Sequence, residues 1–483
     1  MTTTVLRPVQ TPGRAAPPRS MTLLLVAGTL VQVVARLWFA RDRTGSAANP
    51  DENGYLAAAR WLTGGPGGDF SGQTFYPGGY SLVLTPAYWL ADDPVTVYRI
   101  VMLINALVGA ALFPLGYAAA RRFGLTRRTA APLAFAAALL PATTFFGCFA
   151  LADAVLPTLV LGWLLTLDRF ARSGRGDSPV GGDVPHLSVR AYGAAMLGSL
   201  VASYAVAVHT RGMVVLAVHV IALVAVAAID RRKVRAAVAG GGVALAGYAA
   251  AAALNAQVRG ALYPGGSRDL AGILESRLTT LSGQGWTWAG AAGQIWYLIV
   301  STWGLAGIGL VVVAAALARR GTPVAEKVVP GVLLAVTFGI AYASSGALPD
   351  EHRVGNFAYG RYLSCLALVY TLIGAAALVR SGGQTALTLA AASALAIQVT
   401  GLWVVLHAGE RLRAHRFIGF DFPETMFLTG DRTALHLHEA ALAASVLLCG
   451  LLALSRLRER LAGAAVAAAL AGINVAAMTF LMG

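Results

Sequence analysis

Apolar stretches of roughly 17 to 25 residues recur from Met21 to the end of the chain, separated mostly by short polar breaks. A stretch of that length crosses a hydrocarbon core of about 30 Å as a helix, which satisfies its own backbone hydrogen bonds where no water is present. The pattern predicts about 13 membrane-spanning helices, at roughly 21–40, 96–120, 129–146, 151–169, 191–208, 213–229, 236–254, 292–318, 328–346, 362–380, 385–406, 436–455 and 461–482. The expected fold class is an all-α polytopic membrane protein: residues 1–20 form a disordered cytoplasmic tail and 21–483 a single transmembrane domain. The first run is too long for a signal-peptide core and lacks a small-residue cleavage site, so it reads as an uncleaved span.

Composition agrees. Of 483 residues, 57% are hydrophobic and 12% charged, about half the charged share of a soluble globular domain, roughly 25%. The net charge of +15 would suggest nucleic acid in a soluble chain. Here the arginines fall in short clusters between apolar runs, where membrane topology places them, so no nucleic-acid partner is expected. The three cysteines, Cys148, Cys365 and Cys449, all lie in apolar runs and suggest neither a disulfide framework nor a thiolate metal site.

Taking the basic clusters as cytoplasmic puts the N-terminus inside. The inner side then holds most of the Lys and Arg, with Asp168, Asp177, Asp183, Asp230, Glu326 and Glu459 as its acids. Inner connections are short except 171–188, a Gly/Ser/Pro/Asp-rich linker. The substantial loops, 41–95, 255–291, 347–361 and 407–435, fall outside, and long loops kept on a compact scaffold tend to carry binding or catalysis.

The first of these is the most informative. It opens with "NPDENGYLAAARWL" (49–62), continues through "TGGPGGDFSGQ", and ends with "TFYPGGYSLVLTPAYWL" (74–90). Asn49 suits an N-cap, Pro50 a first helical position and Glu52 a capping-box acid, so the Asp51–Glu52 pair has a structural reading as a helix start. It also has a chemical one, because the helix dipole that favours an acid there keeps the carboxylate ionised, as a general base must be. Tyr55, Leu56, Ala59 and Leu62 recur at helical spacing, and Tyr80, Tyr88 and Trp89 suit a membrane interface. Two interfacial helices enclosing a cleft are expected.

These residues resemble the first outer loop of the polytopic GT-C glycosyltransferases, the superfamily of protein O-mannosyltransferases, lipid A aminoarabinose transferases and many bacterial polyprenyl-phosphate-dependent transferases. The matching positions are Asp51, Glu52, Tyr55, Ala59 and Arg60. The resemblance implies transfer of a sugar from a polyprenyl-phosphate donor to a glycan, lipid or protein acceptor on the extracytoplasmic face, with inversion. Asp51 and Glu52 would be the catalytic pair, Asp51 as the general base and Glu52 as the cap or a metal contact, with Tyr55 and Tyr76 beside the substrate. It further implies a divalent cation such as Mg or Mn in some members, for which Glu52 and Asp153 are the candidates. A transporter or lipid flippase, and a non-catalytic subunit of the same fold, stay open beside this reading.

Elsewhere, Asp153 stands alone in "FFGCFALADAVLPTL", where a bare carboxylate is costly unless it meets a cation or a wet cavity. His209 and Arg211 sit at the outer turn of "AVHTRGMVV", where the resemblance puts a basic residue near the donor phosphate; helix-end snorkelling is the structural alternative. Arg353, Tyr359 and Arg361 precede the tenth span in "PDEHRVGNFAYGRYL", offering fixed cations and phenols to a lipid phosphate, or interfacial anchors. The 407–435 loop, rich in His and Arg, has no zinc-like spacing and is expected to contact acceptor or act as a cover. The Ala/Arg/Gly-rich composition fits a bacterial plasma membrane.

Overall fold

The computed structural model describes residues 19–173 and 189–483; the expected tail and most of the expected linker lie outside them. The described residues form helices and their connections, with one isolated bridge, Arg353 to Arg416, in place of any strand. The chain begins with α1 (Arg19–Phe39), α2 (Asp51–Leu62), α3 (Gly78–Leu90), α4 (Pro94–Ala110), α5 (Leu112–Arg122), α6 (Arg127–Ala138) and the single turn α7 (Pro141–Thr144). It continues through α8 (Leu156–Arg172), α9 (Val189–Val208), α10 (Gly212–Ile229), α11 (Val234–Leu262), α12 (Leu270–Leu278), α13 (Leu281–Val300) and α14 (Leu305–Ala318). The remainder is α15 (Val324–Ala347), α16 (Ser364–Arg380), α17 (Gly383–Ala408), α18 (Arg411–Ala414), α19 (Pro423–Thr429), α20 (Leu437–Leu454) and α21 (Glu459–Met482).

Nine helices among the described residues are long and apolar enough to span a bilayer, or up to eleven when two bent pairs count as single spans. The expected count of about 13 is not confirmed by them, and Ser364–Arg380 is a further, shorter apolar helix. α8 and α16 have 17 residues each, and α8 ends in Asp168, Arg169 and Arg172. The expected span 292–318 is instead a break: α13 and α14 meet at 115°. Trp303 and Gly304 take positive φ (56° and 82°), a left-handed conformation that ends a right-handed helix. The backbone groups freed there find partners: Ser393 Oγ donates to the Gly304 carbonyl (2.7 Å), and the Ala306 amide donates to Thr302 Oγ1 (3.1 Å).

The expected span 129–146 also breaks, with a 61° bend after α6. This break accounts for Arg36, a buried cation near the end of α1. Its guanidinium is buried and donates to the carbonyls of Ala138 (2.6 Å) and Thr143 (3.3 Å), which the interrupted helix leaves open.

The two ends of the bundle are set by opposite chemistry. At one end Lys233 Nζ donates to the Ala171 carbonyl (2.7 Å), Arg456 to Ser381 (2.8 Å), and Arg122 pairs with Asp168. This collects the basic helix ends that the sequence assigns to the inner side. At the other end α2 and α3 lie against each other. α3 is more enclosed than an interfacial helix would be, because it packs beneath α9 and α11 as well as on α2 and α4. Gly79 permits the close approach: a Cβ there would sit 2.5 Å from the Ala207 backbone. The expected loop 255–291 is largely helical, since α11 runs on to Leu262 and α12 and α13 fill the rest.

Candidate active site

α2 begins at Asp51, one residue later than the capping pattern predicts, with Pro50 at the N-cap and no side-chain cap. Glu52 does something else. Its Oε1 accepts the amides of Ala47 and Ala48 (both 2.7 Å), and its Oε2 accepts the Tyr98 hydroxyl (2.5 Å) and the Ala150 amide (2.7 Å). The side chain is fully buried and ties the loop before α2 to α4 and to the segment leading to Asp153. Glu52→Gln replaces one acceptor oxygen with an N–H₂ facing donors. It is expected to lower stability by about 3 kcal/mol, read as a fall in the melting temperature of detergent-purified protein; an unchanged melting point would remove this role.

Asp51, on the preceding helical position, points elsewhere and is the more open of the two, its side chain 29% exposed. Its Oδ1 accepts the Tyr76 hydroxyl at 2.7 Å and its Oδ2 faces Arg361 Nη1 at 2.6 Å. Arg361 reaches inward through Nε to Asp153 Oδ2 (2.7 Å), and Asp153 Oδ1 meets Arg211 Nη2 (2.6 Å). Acid, cation, acid and cation thus alternate from the open edge into the protein. Burial opposes the charge on Asp153, but Arg211 and Arg361 outweigh it and hold the carboxyl well below its ordinary range.

Arg211 is the inner anchor. Four of its five N–H groups are engaged: two with the carbonyls of Arg361 (3.3 Å) and Tyr362 (3.0 Å), one with Asp153, and one with His209 Nδ1 (3.3 Å). Burial, with the Arg211 charge beside it, pushes the His209 imidazole well below its usual pKa, so it serves as a neutral acceptor. Arg353 differs from both. Its partners are looser, Glu351 at 3.4 Å and Asp421 at 3.9 Å, and its guanidinium lies over the Tyr359 ring, which packs on Tyr362 with centroids 4.6 Å apart.

Tyr55 and Tyr76 both lie at this site. The Tyr55 ring is buried between Tyr76 and Tyr80, with centroids 5.3 and 5.1 Å away. Tyr76 is positioned in turn by its own amide, which donates to the Tyr263 hydroxyl (3.2 Å).

Neither expected metal ligand offers an open carboxylate. Asp153 faces two guanidinium groups, Glu52 is filled by four donors, and no group of three His, Cys, Asp or Glu side chains converges among the described residues. These residues, as arranged, do not fit a divalent cation.

The strap between α17 and α20 adds two acids that sequence reasoning passed over. Backbone pairing of Arg416 with His352 and Val354 (2.9 and 3.0 Å) ties the strap to the 347–361 loop. Below it Asp421 and Glu424 are buried, and Asp421 Oδ2 and Glu424 Oε1 lack hydrogen-bond partners. Glu424 Oε2 accepts the Tyr297 hydroxyl at 2.6 Å. Burial raises Asp421 from 3.8 to about 6, against the pull of Arg353 and Arg361, and raises Glu424 from 4.5 to about 7, against the Tyr297 hydroxyl.

The unfolded chain therefore releases these protons at lower pH than the folded one. Stability is greatest while both states are protonated and falls as pH rises through the window from about 4 to about 7. Melting curves across that window should show the decline, and Glu424→Gln should flatten its upper part; identical slopes in wild type and variant would refute the assignment.

No family model matches the chain, and no curated protein sequence matches it. Among solved structures it is similar to ArnT from Cupriavidus metallidurans bound to undecaprenyl phosphate, with a TM-score of 0.52 and 16% identity, over 96% of this chain and 78% of that one. The apo form of that protein gives 0.48 at 16% identity, over 96% and 77%. An Archaeoglobus fulgidus oligosaccharyltransferase tethered with an acceptor peptide gives 0.45 at 13% identity, over 80% and 55%. The likeness to undecaprenyl-phosphate-bound ArnT is one of fold and extends over nearly the whole of this chain.

Proposed function

We propose, on the premise of the polytopic GT-C fold that this chain shares, that it is a membrane glycosyltransferase moving a sugar from a polyprenyl-phosphate donor to an acceptor hydroxyl. The observation that carries the reading is the Asp51–Arg361–Asp153–Arg211 chain, with a partly open carboxylate at its outer end and a buried, doubly paired one behind it.

Asp51 takes the acceptor's proton while the acceptor oxygen bonds to the anomeric carbon. The bond from that carbon to the phosphate oxygen breaks, the electron pair leaves with polyprenyl phosphate, and the configuration inverts. Tyr76 and Arg361 hold the two Asp51 oxygens and so fix its direction. Arg211 and Asp153 act through Arg361 as positioning residues. Of Arg211, Arg353 and Arg361, Arg353 is the one with only loose partners, and we assign it, with Tyr359, to the leaving phosphate. Glu52 fixes the loop.

The acceptor, whether glycan, lipid or protein, would approach from the extracytoplasmic side of a bacterial plasma membrane, since the basic helix ends gather at the opposite end of the bundle. A transporter is less well supported, because Asp51, Asp153, Asp421 and Glu424 collect at one end and do not line a path through the bundle. The test is transfer of label from polyprenyl-phosphate sugars by purified protein. Failure with every lipid-linked donor, under conditions where the protein stays monodisperse, would refute the function.

A further inference from the structure

A cavity of about 740 Å³ touches none of the residues of the candidate active site. It lies at the opposite end of the bundle, between α5, α8, α14, α15, α16 and α17. Leu164, Val312, Leu333 and Ile373 are among its apolar walls, and the Arg319–Thr322 turn forms part of its rim. Its volume is that of an ordinary ligand pocket, roughly 300–1,000 Å³.

The rim carries four arginines, Arg122, Arg172, Arg319 and Arg320, against two acids, Asp168 and Glu326. Asp168 is buried and holds both Arg122 and Arg172, the latter at 2.6 Å. Arg319 and Arg320 are exposed, follow the last turn of α14, and make no ion pair among the described residues. An apolar chamber with a cationic lip, at the depth where a spanning helix meets the headgroups, is complementary to an amphiphile with an anionic head. We propose that this cavity is a binding site for an anionic phospholipid, one acyl chain among the apolar walls and the phosphate at Arg319 and Arg320.

A polyprenyl phosphate offers similar chemistry, but its phosphate at this lip would be held at the far end of the bundle from Asp51.

The test is native mass spectrometry of the full-length protein in mild detergent, titrated with phosphatidylglycerol, phosphatidylcholine of the same chains, and undecaprenyl phosphate. Phosphatidylglycerol should bind best. R319Q/R320Q should weaken its binding about 30-fold, two charges each contributing about 1 kcal/mol at a headgroup. Ala316→Trp, which fills the cavity from its lining, should abolish binding of phosphatidylglycerol, with elution as a monodisperse peak showing that the variant is folded. Equal binding of the two phospholipids, preference for undecaprenyl phosphate, or binding unchanged by R319Q/R320Q would each overturn the proposal. So would no lipid binding by wild type.

Discussion

Asp51→Asn should lower sugar transfer by about 10²–10⁴-fold, the usual contribution of a positioned general base, with little change in the melting temperature. The asparagine keeps the shape of the side chain and can still accept from Tyr76, but it cannot take the acceptor's proton. Its amide also meets Arg361 without a charge. Because Asp51 is partly exposed, that loss is softened by solvent. Initial rates with labelled polyprenyl-phosphate sugar, measured beside a melting curve, separate the two effects. Transfer within a few-fold of wild type would take the proton-accepting role away from Asp51.

The largest stability effect is expected at Asp153. Its side chain is 1% exposed and stands between two guanidinium groups. Asp153→Ala leaves Arg211 and Arg361 facing each other in a buried site without the charge that reconciles them. Breaking a buried ion pair by removing one partner costs about 3–5 kcal/mol, so the variant should melt well below wild type or fail to accumulate in the membrane. Pairing it with Arg211→Ala should recover part of the loss, because one uncompensated cation goes with the acid. A single variant as stable as wild type would mean that the observed pairing does not hold the site together.

How far the sequence foretold this depends on the kind of interaction. Spans stood out wherever apolarity alone decides, as in α1, α9, α10 and α17. The α13–α14 break did not, because it changes backbone direction without interrupting the apolar run; its one local mark is the Ser301–Gly304 stretch. Asp51, Asp153, Arg211 and Arg361 each stood out as charged residues at outer boundaries. Their convergence could not be read, since Arg361 is 310 residues from Asp51 and 208 from Asp153. Asp51 could be read as the base and Glu52 as a cap or metal contact, but the partners that Glu52 actually has were equally hidden. Both suit a helix start, and only the amides of Ala47, Ala48 and Ala150 and the Tyr98 hydroxyl show which carboxylate is spent. Asp421 and Glu424 were overlooked because their loop drew attention for its histidines and arginines, whereas what distinguishes the two acids is burial.

The four bonds of Glu52 also bear on how the site is held. They connect the base of α2 with the segment that runs directly into Asp153, so the two carboxylates flanking Arg361 belong to one rigid body. Arg361 comes from a different part of the chain, at the entrance to α16. The spacing of the two acids thus has two independent supports from distant parts of the chain, the Glu52 bonds behind them and the guanidinium between them, so the socket does not depend on either one alone.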